Sequence, residues 1–267
     1  MQYDLTDNIT SNTPNGSAIF GVFSDKSVKE LAKSLSALDI AKIKETIKKS
    51  SFEGKTNESL CVYETSNKKL DKIYLIGLGE KSKYNEKNFL KSINSFSKIC
   101  KSENIKNIYL GVSSFIDEKV SIDWAIRNIS IHINGIDYHY DETKNKTKNK
   151  NNYKVSKLFF VFNSIKKNYK QDIKKYFSQG EAIANGIKLA KNLGDLPSNI
   201  CTPTYLAKTA TSLGKTNKNL NIKIHDEKEM KKMGMNCLLS VGNGSDEPSK
   251  LITINYSGGA KNEKPIV

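Results

Sequence analysis

Arginine is almost absent from this sequence. Its 267 residues carry 43 Lys and Arg against 28 Asp and Glu, a net charge of +15, yet Arg127 is the one arginine. Proteins that read nucleic acids favour arginine for forked contacts to phosphate and guanine, whereas a lysine excess alone indicates solubility and non-specific binding. We therefore interpret the charge as a solvated lysine-rich surface, and a nucleic-acid site stays open as the alternative.

Apolar runs long enough to span a membrane are also missing, and the start of the sequence does not predict a secretory leader. No stretch approaches the ~18 continuous apolar residues of a membrane span. The chain starts with MQYDLTD, which is too acidic and polar for a secretory signal peptide. The sequence therefore predicts a cytosolic protein without membrane contact, long enough for one large domain or two ordinary ones.

Cysteine and histidine motifs are absent as well. The histidines form no HExxH motif, and we interpret them as strand or loop residues rather than metal ligands: His132, His139 and His225. The four cysteines lack the spacing of a zinc site, which is typical of reduced structural thiols. They are Cys61, Cys100, Cys201 and Cys237.

No nucleotide or nucleophile motif is complete. The sequence has no GxxxxGK[ST] and no GxSxG, and two candidate GxGxxG fingerprints fail at their third glycine. In the first, Gly77-Leu-Gly79 is followed by Ser82, and in the second, Gly242-Asn-Gly244 is followed by Glu247. We interpret both as tight turns, so the residues by themselves predict no catalytic constellation.

In the first part of the chain, short apolar runs alternate with stretches of helical spacing. One or two helices are predicted over residues 28–47, with further helices over 85–100 and 124–136. This alternation is typical of an α/β layer architecture with a largely parallel sheet. The lysine- and asparagine-rich tract at 141–152 is predicted to be a mobile surface loop, or alternatively a nucleic-acid arm. The predicted strands are residues 17–23, 59–63, 72–77, 108–112 and 153–162.

The later part begins with a long helical pattern over residues 169–193, which Gly194 and Pro197 end. A second α/β region follows. Thr202 and Pro203 start a helix that runs towards Leu213, and Asp226 with Glu229 resembles a capping box for a helix that ends at Gly234. Strands are predicted at 221–225 and 251–256, a turn at 257–264, and the opening of another strand at 265–267.

Several segments resemble one enzyme family. The stretch that begins GEAIANGIKLAKNLGDLPSNICTPTYLAKTA, together with residues 223–259, is similar to the connecting helix and first catalytic-domain elements of the leucyl (cytosol) aminopeptidases, the M17 metallopeptidases. NICTPTYLA at 199–207 is the most specific part. In the first half, AIFGVF, FEGKTNESLCVYE and KIYLIGLGEKSKYN resemble the variable first domain of that family.

The resemblance implies a fold and an activity. It implies a three-layer α/β domain with a mostly parallel mixed sheet at 1–168, a connecting helix at 169–194, and an incomplete α/β catalytic domain at 195–267. It also implies release of N-terminal residues from peptides by a hexamer that carries two divalent metals, Zn²⁺ or Mn²⁺. The alternative is a non-catalytic module for oligomer assembly or nucleic-acid binding.

The resemblance carries over no catalytic, metal-binding or substrate-binding residue. The family's ligands, one Lys and several Asp and Glu, begin in a motif just after the strand that opens at 265–267, so we expect a fragment that is inactive alone. The acidic residues that are present match no ligand position and are expected to cap helices or lie at the surface: Asp195, Asp226, Glu229, Asp246 and Glu247.

A catalytic domain without its later elements should expose an apolar patch. We expect residues after about 195 to be less stable than the first domain, and a chain that ends near Asn168 to behave better in solution. The side chains expected in the patch are Leu238, Leu239, Leu251, Ile252, Ile254 and Ile266.

Overall fold

The computed structural model describes residues 2–9, 13–136, 138–143, 155–162, 169–260, 264 and 266. They form two compact units, residues 1–190 and 191–267. Most of the tract at 141–152, and Pro265 and Val267, lie outside the described residues, so the loop and the last strand predicted there remain predictions. Among the described residues, no helix is both long enough and apolar enough to span a membrane.

The first unit is built on one six-stranded sheet with the spatial order β1-β6-β5-β2-β4-β3. Every neighbouring pair is parallel except β3 with β4, which is antiparallel. The predicted mixed, mostly parallel sheet is therefore confirmed, and β1 is a strand that the sequence did not predict. The strands are β1 (Gln2–Thr6), β2 (Gly16–Phe23), β3 (Ser59–Val62), β4 (Leu70–Gly79), β5 (Asn107–Gly111) and β6 (Lys157–Val161).

Helices cover both faces of this sheet and complete three layers. Residues alternate along β2, so that Phe20 packs with the cluster around α1 while Ile19 packs with the cluster around the other three helices. The first half of α4 belongs to this unit, because Ile173 and Phe177 are fully buried in its core. The helices are α1 (Ala37–Lys49), α2 (Glu86–Ser102), α3 (Ile122–Gly135) and α4 (Tyr169–Asp195).

Three expectations for the first unit are wrong in detail. Residues 28–35 form only a short 3₁₀ turn, because Ser36 adopts an extended backbone and caps α1 by accepting the backbone N–H of Asp39. Gly77-Leu-Gly79 is the end of β4 rather than a turn, with Gly77 opposite Val22. His132 lies in α3, and not in a strand or loop.

The second unit contains a small antiparallel sheet and three helices. The sheet pairs β7 with β8. Thr202 caps α5 by accepting the backbone N–H of Tyr205, and Pro203 stands at the first turn, as predicted. Gly242-Asn-Gly244 lies at the end of α7, a helix that the sequence did not predict. The elements are α5 (Pro203–Thr216), β7 (Leu220–His225), α6 (Glu227–Lys232), α7 (Asn236–Gly242) and β8 (Leu251–Tyr256).

Candidate functional site in the second unit

Two acidic residues at the start of α6 hold local structure. Asp226 Oδ1 accepts a hydrogen bond of 2.8 Å from the backbone N–H of Glu229, which confirms the first half of the predicted capping box. The Glu229 carboxylate lies 3.1 Å from Nδ1 of His225, the buried last residue of β7. Both carboxylates are therefore used to join the end of β7 to α6.

The connection between α7 and β8 is anchored by two further glutamates. Glu227 Oε1 accepts the backbone N–H of Ser249 at 2.8 Å. Glu247 Oε2 accepts the hydroxyl of Thr204 at 3.3 Å, which ties this connection to the first turn of α5. Asp195 is the last residue of α4, and Asp246 is exposed in the connection.

These carboxylates do not fit a pair of divalent metals. Within residues 191–260, 264 and 266, and equally in the described part of the first unit, no group of three or more His, Cys, Asp or Glu side chains is arranged to hold a metal ion. A di-metal centre needs several oxygen ligands that converge on one point. Here the acidic groups are spread over caps and loop anchors, so no step of a metal-dependent hydrolysis is assigned to them.

The second unit has a very small core. Among its described residues, the buried hydrophobic side chains are Ala207, Ala210 and Met230. Of the patch expected from the sequence, Ile254 and Ile266 are exposed, whereas Leu238, Leu239, Leu251 and Ile252 are half-buried. The large hydrophobic side chains that are exposed in this unit are Ile200, Tyr205, Leu206, Met233, Val241, Ile254, Tyr256 and Ile266.

One face of the β7–β8 sheet is apolar and only partly covered. Cross-strand pairs on this face join Leu220 to Tyr256, Ile222 to Ile254 and Ile224 to Ile252. Helix α5 packs over the β7 side, because a Cβ at Gly214 would lie 2.6 Å from Ile222 Cγ1. On the β8 side, Ile254 and Tyr256 remain 51 % and 66 % exposed.

The first unit also carries a cleft, of about 570 Å³, at the carboxyl ends of β2 and β4. In open α/β sheets this edge often binds ligands. The lysines here are largely neutralised, however, because Lys55 pairs with Glu53 and Lys83 with Glu80. The hydrogen bond between Lys55 and Glu53 lowers the pKa of the carboxyl and raises that of the amine. Apart from Gly79, the lining residues have polar or charged side chains: Ser24, Lys26, Glu53, Lys55, Thr56, Glu80, Lys83 and Asn88.

A polar group surrounds the half-buried Cys61 on the outer strands of the first sheet. Lys72 Nζ donates to Glu103 Oε2 at 2.7 Å, and the Tyr74 hydroxyl donates to the same oxygen at 3.1 Å. Burial raises the pKa of the Cys61 thiol and of the Tyr74 hydroxyl. The raised pKa disfavours the reactive thiolate form of Cys61, and none of the four cysteines, all of which lie within the described residues, forms a disulfide.

Comparison with known proteins accounts for both units. Residues 19–147 match the family model described as "Cytosol aminopeptidase family, N-terminal domain", and residues 188–267 match the model of that family's catalytic domain. Together the two models define a class of peptidases with an N-terminal domain and a catalytic domain. The chain belongs to the cytosol aminopeptidase family, the one that its sequence resembles.

Individual relatives agree with this assignment. Proteins named "Probable cytosol aminopeptidase" from Aromatoleum aromaticum and Dechloromonas aromatica are 29 % and 31 % identical to it, and in each case the match covers 100 % of this chain and 53 % of the relative. The chain thus spans about half the length of the curated relatives that it matches.

Solved structures show the same fold. A mutant of tomato leucine aminopeptidase superposes with a TM-score of 0.75 at 17 % identity, over 99 % of this chain and 52 % of the other. The bottromycin maturation enzyme BotP in complex with Mn superposes with a TM-score of 0.67 at 15 % identity, over 91 % and 45 %. These likenesses support the predicted α/β architecture.

Proposed function

We propose that this chain provides the N-terminal domain and the first part of the catalytic domain of a metal-dependent aminopeptidase. The observation that carries the proposal is the match of residues 188–267 to the catalytic-domain model, in a unit whose apolar sheet face is only partly covered. The proposed parts are an N-terminal domain at 1–168, a connecting helix at 169–194 and the catalytic-domain segment at 195–267. The first half of that helix packs into the core of the first unit.

The proposed reaction is the release of N-terminal amino acids from peptides in the cytoplasm. Two divalent metals, Zn²⁺ or Mn²⁺, would activate a water molecule and polarise the scissile carbonyl. The name of the related BotP structure, which includes Mn, supports manganese as one candidate. The metal ligands would come from the part of the relatives that this chain does not match, and the complete enzyme would be a homo-oligomer, a hexamer.

In this proposal the chain supplies scaffold rather than chemistry. Asp226 caps α6 and Glu227 anchors the α7–β8 connection, so these two carboxylates already serve the fold. The chain alone is expected to be inactive, and calorimetric titration with Zn²⁺ or Mn²⁺ should show no tight binding of two ions.

A single-chain chimera tests the proposal. The 267 residues would be fused to the unmatched second half of the Dechloromonas aromatica relative, and hydrolysis of leucine p-nitroanilide would be measured with Mn²⁺. We expect activity from the chimera that EDTA removes, and none from this chain or from the second half alone. A chimera that folds, as judged by circular dichroism and a single thermal transition, but has no activity would contradict the proposal.

The alternative, a non-catalytic module, is not favoured by the comparisons. Both family models and the relatives belong to cytosol aminopeptidases. Nucleic-acid binding through the lysine-rich surface is a separate prediction, and the salt dependence of DNA binding tests it.

A further inference from the structure

We propose that the cleft at the carboxyl ends of β2 and β4 binds a small, non-aromatic molecule that carries a phosphate group, with Lys26 as its main anchor. The lining residues come from the loops after β2 and β4, the loop between α1 and β3, and the first turn of α2. The cleft therefore lies wholly in the first unit, outside the catalytic-domain segment. The inference goes beyond the proposed function and is tested independently of it.

The position and the size of the cleft fit a small ligand. β2 and β4 are neighbouring parallel strands. The chain leaves β2 towards α1 on one face of the sheet and leaves β4 towards α2 on the other face, so a crevice opens between the two connections. Ligands of open α/β sheets bind in such a crevice. The volume of about 570 Å³ lies within the ~300–1,000 Å³ of small-molecule sites.

Left-handed backbone conformations are concentrated around this cleft. Seven described residues have a positive φ, and four of them lie in the three loops that form the cleft: Lys26, Gly54, Asn57 and Gly79. Glycine and asparagine adopt this conformation readily, whereas lysine does so at a cost. Strained backbone of this kind clusters at functional sites, where the surrounding structure holds it in place.

Lys26 gives the fold little in return for this strain. Its φ is 56°, and its N–H donates to the carbonyl of Phe23 at 2.9 Å, which closes a turn that glycine would fit without strain. Within the described residues, the exposed Lys26 side chain makes no hydrogen bond and no ion pair. The pKa of Glu53 is lowered chiefly by its hydrogen bond with Lys55, and the charge of Lys26 adds to that shift. The Lys26 ammonium is thus directed towards the cleft, where a ligand accounts for it better than the fold does.

Two further lysines can contribute to the same site. Lys55 pairs with Glu53 and Lys83 with Glu80, but all four side chains are more than half exposed. Ion pairs at the surface are weak, so a phosphate can draw the lysines away from their carboxylates. Three lysines against two glutamates leave one net positive charge in the lining. Lysine binds phosphate well as a point charge, and the balance therefore favours an anionic ligand.

The lining also defines the rest of the ligand. Among the described residues that line the cleft, none is aromatic or aliphatic apart from Gly79, which has no side chain. A nucleobase needs an aromatic or apolar surface on which to stack, and this cleft offers none. The hydroxyls of Ser24 and Thr56 and the amide of Asn88 suit a ligand rich in hydroxyl groups. The chemical class is therefore a phosphorylated sugar or polyol.

Titration calorimetry of the full chain tests the ligand class. Glucose 6-phosphate, glucuronate and glucose place a phosphate, a carboxylate and no charge on one sugar, and glycerol 3-phosphate is a smaller phosphorylated polyol. At physiological salt we expect submillimolar binding of glucose 6-phosphate or glycerol 3-phosphate, at least tenfold weaker binding of glucuronate, and none of glucose. Hydrogen exchange should slow on binding in the loops at 24–27, 53–57 and 79–83.

Variants of Lys26 test the anchor. Lys26→Gly should raise Tm, because glycine adopts a positive φ freely, and should weaken binding of the phosphorylated ligand at least tenfold. Lys26→Arg, which keeps the charge, should bind within threefold of the parent chain. Lys48→Ala is the matched control, because it removes an exposed lysine of α1 that does not line the cleft. Its affinity should stay within twofold of the parent.

Several results would overturn the inference. Neither phosphorylated compound binding at millimolar concentration would exclude the ligand class, and glucuronate binding as tightly as glucose 6-phosphate would contradict the preference for phosphate. Equal losses in Lys26→Gly and Lys48→Ala would show non-specific attraction to a chain of charge +15. A lower Tm for Lys26→Gly would show that Lys26 serves the fold. The activity of the chimera bears on the proposed function alone.

Discussion

Two glycines in α4 show how differently one residue type is used within a single helix. A Cβ at Gly180 would lie 2.3 Å from the carbonyl oxygen of Arg127 and 2.6 Å from Ser130 Cβ, so this glycine lets α4 approach α3 closely. The contact is reinforced by the Ser130 hydroxyl, which donates to the carbonyl of Phe177 at 2.8 Å. At Gly186 a Cβ would meet nothing within 4 Å.

Substituting the two glycines should therefore have opposite effects. Gly180→Ala is expected to lower the free energy of unfolding by ~1–3 kcal/mol, because the added methyl group overpacks the helix contact. Gly186→Ala, the matched control, is expected to raise it by up to ~1 kcal/mol, since alanine is the better helix former. Urea unfolding of both variants measures this, and a Gly180→Ala variant as stable as the control would disprove the close contact.

The ion pair of Glu103 predicts a pH dependence. Hydrogen bonds from Lys72 and then Tyr74 lower the pKa of the Glu103 carboxyl. A carboxyl with a lowered pKa stabilises the fold above its ordinary pKa, and this contribution is lost as the pH falls through the lowered pKa. Glu103→Gln should thus lower Tm at pH 7, and the difference from the parent chain should vanish in acid. A difference that is constant from neutral to acid pH would contradict this assignment.

At the scale of elements, α5 depends on an N-terminal cap, Thr202, that the sequence predicts. The Thr202→Ala substitution removes the side-chain oxygen that accepts the Tyr205 N–H. Loss of a typical cap lowers helix stability by ~1 kcal/mol, which makes the equilibrium constant for local opening about fivefold larger. We expect hydrogen exchange of the first turn of α5 to rise by about that factor. Thr209→Ala, in the middle of the same helix, is the control, and an equal rise in both variants would argue against a capping role.

Elements with local signals were predictable, and elements defined by distant partners were not. Asn85 caps α2 and Thr202 caps α5 through their own sequence, and both helices agree with the predictions. Strand β1 is fixed by its parallel register with β6, more than 150 residues away in sequence. Helix α7 starts without a side-chain cap, so nothing local indicated it.

The candidate site was predictable only in outline. The capping role of Asp226 at the start of α6 was predictable from the sequence. The hydrogen bond from the Ser249 N–H to Glu227 was not, because it depends on a loop that folds back across the unit. The contact between His225 and Glu229 could not be predicted from helical spacing, because His225 ends β7 and lies before the cap of α6. The open face of β8 depends on where α5 packs, which periodicity does not indicate.

At the scale of the whole molecule, the charge of +15 makes a further prediction. If the lysines form a solvated surface, binding to duplex DNA should be weak and should collapse as salt rises, because phosphate contacts release counterions. Fluorescence anisotropy with a labelled duplex from low to physiological salt measures this. Tight, sequence-specific binding that persists at physiological salt would instead favour the nucleic-acid alternative.

The central claim is that the second unit is a catalytic-domain segment whose apolar face is only partly covered, whereas the first unit has a complete core. Hydrogen exchange of the full chain tests this most directly. We predict slow exchange in β4, whose central residues are buried, and fast exchange in β7, β8 and α5. A chain that ends near Asn168, as the sequence suggested, would lose Ile173 and Phe177 from the first core. A chain that ends at Ala190 keeps them and should retain the slow exchange of β4. Equal protection in both units, in a chain that stays monomeric at high concentration, would show that the second unit is a completed fold and would contradict the account.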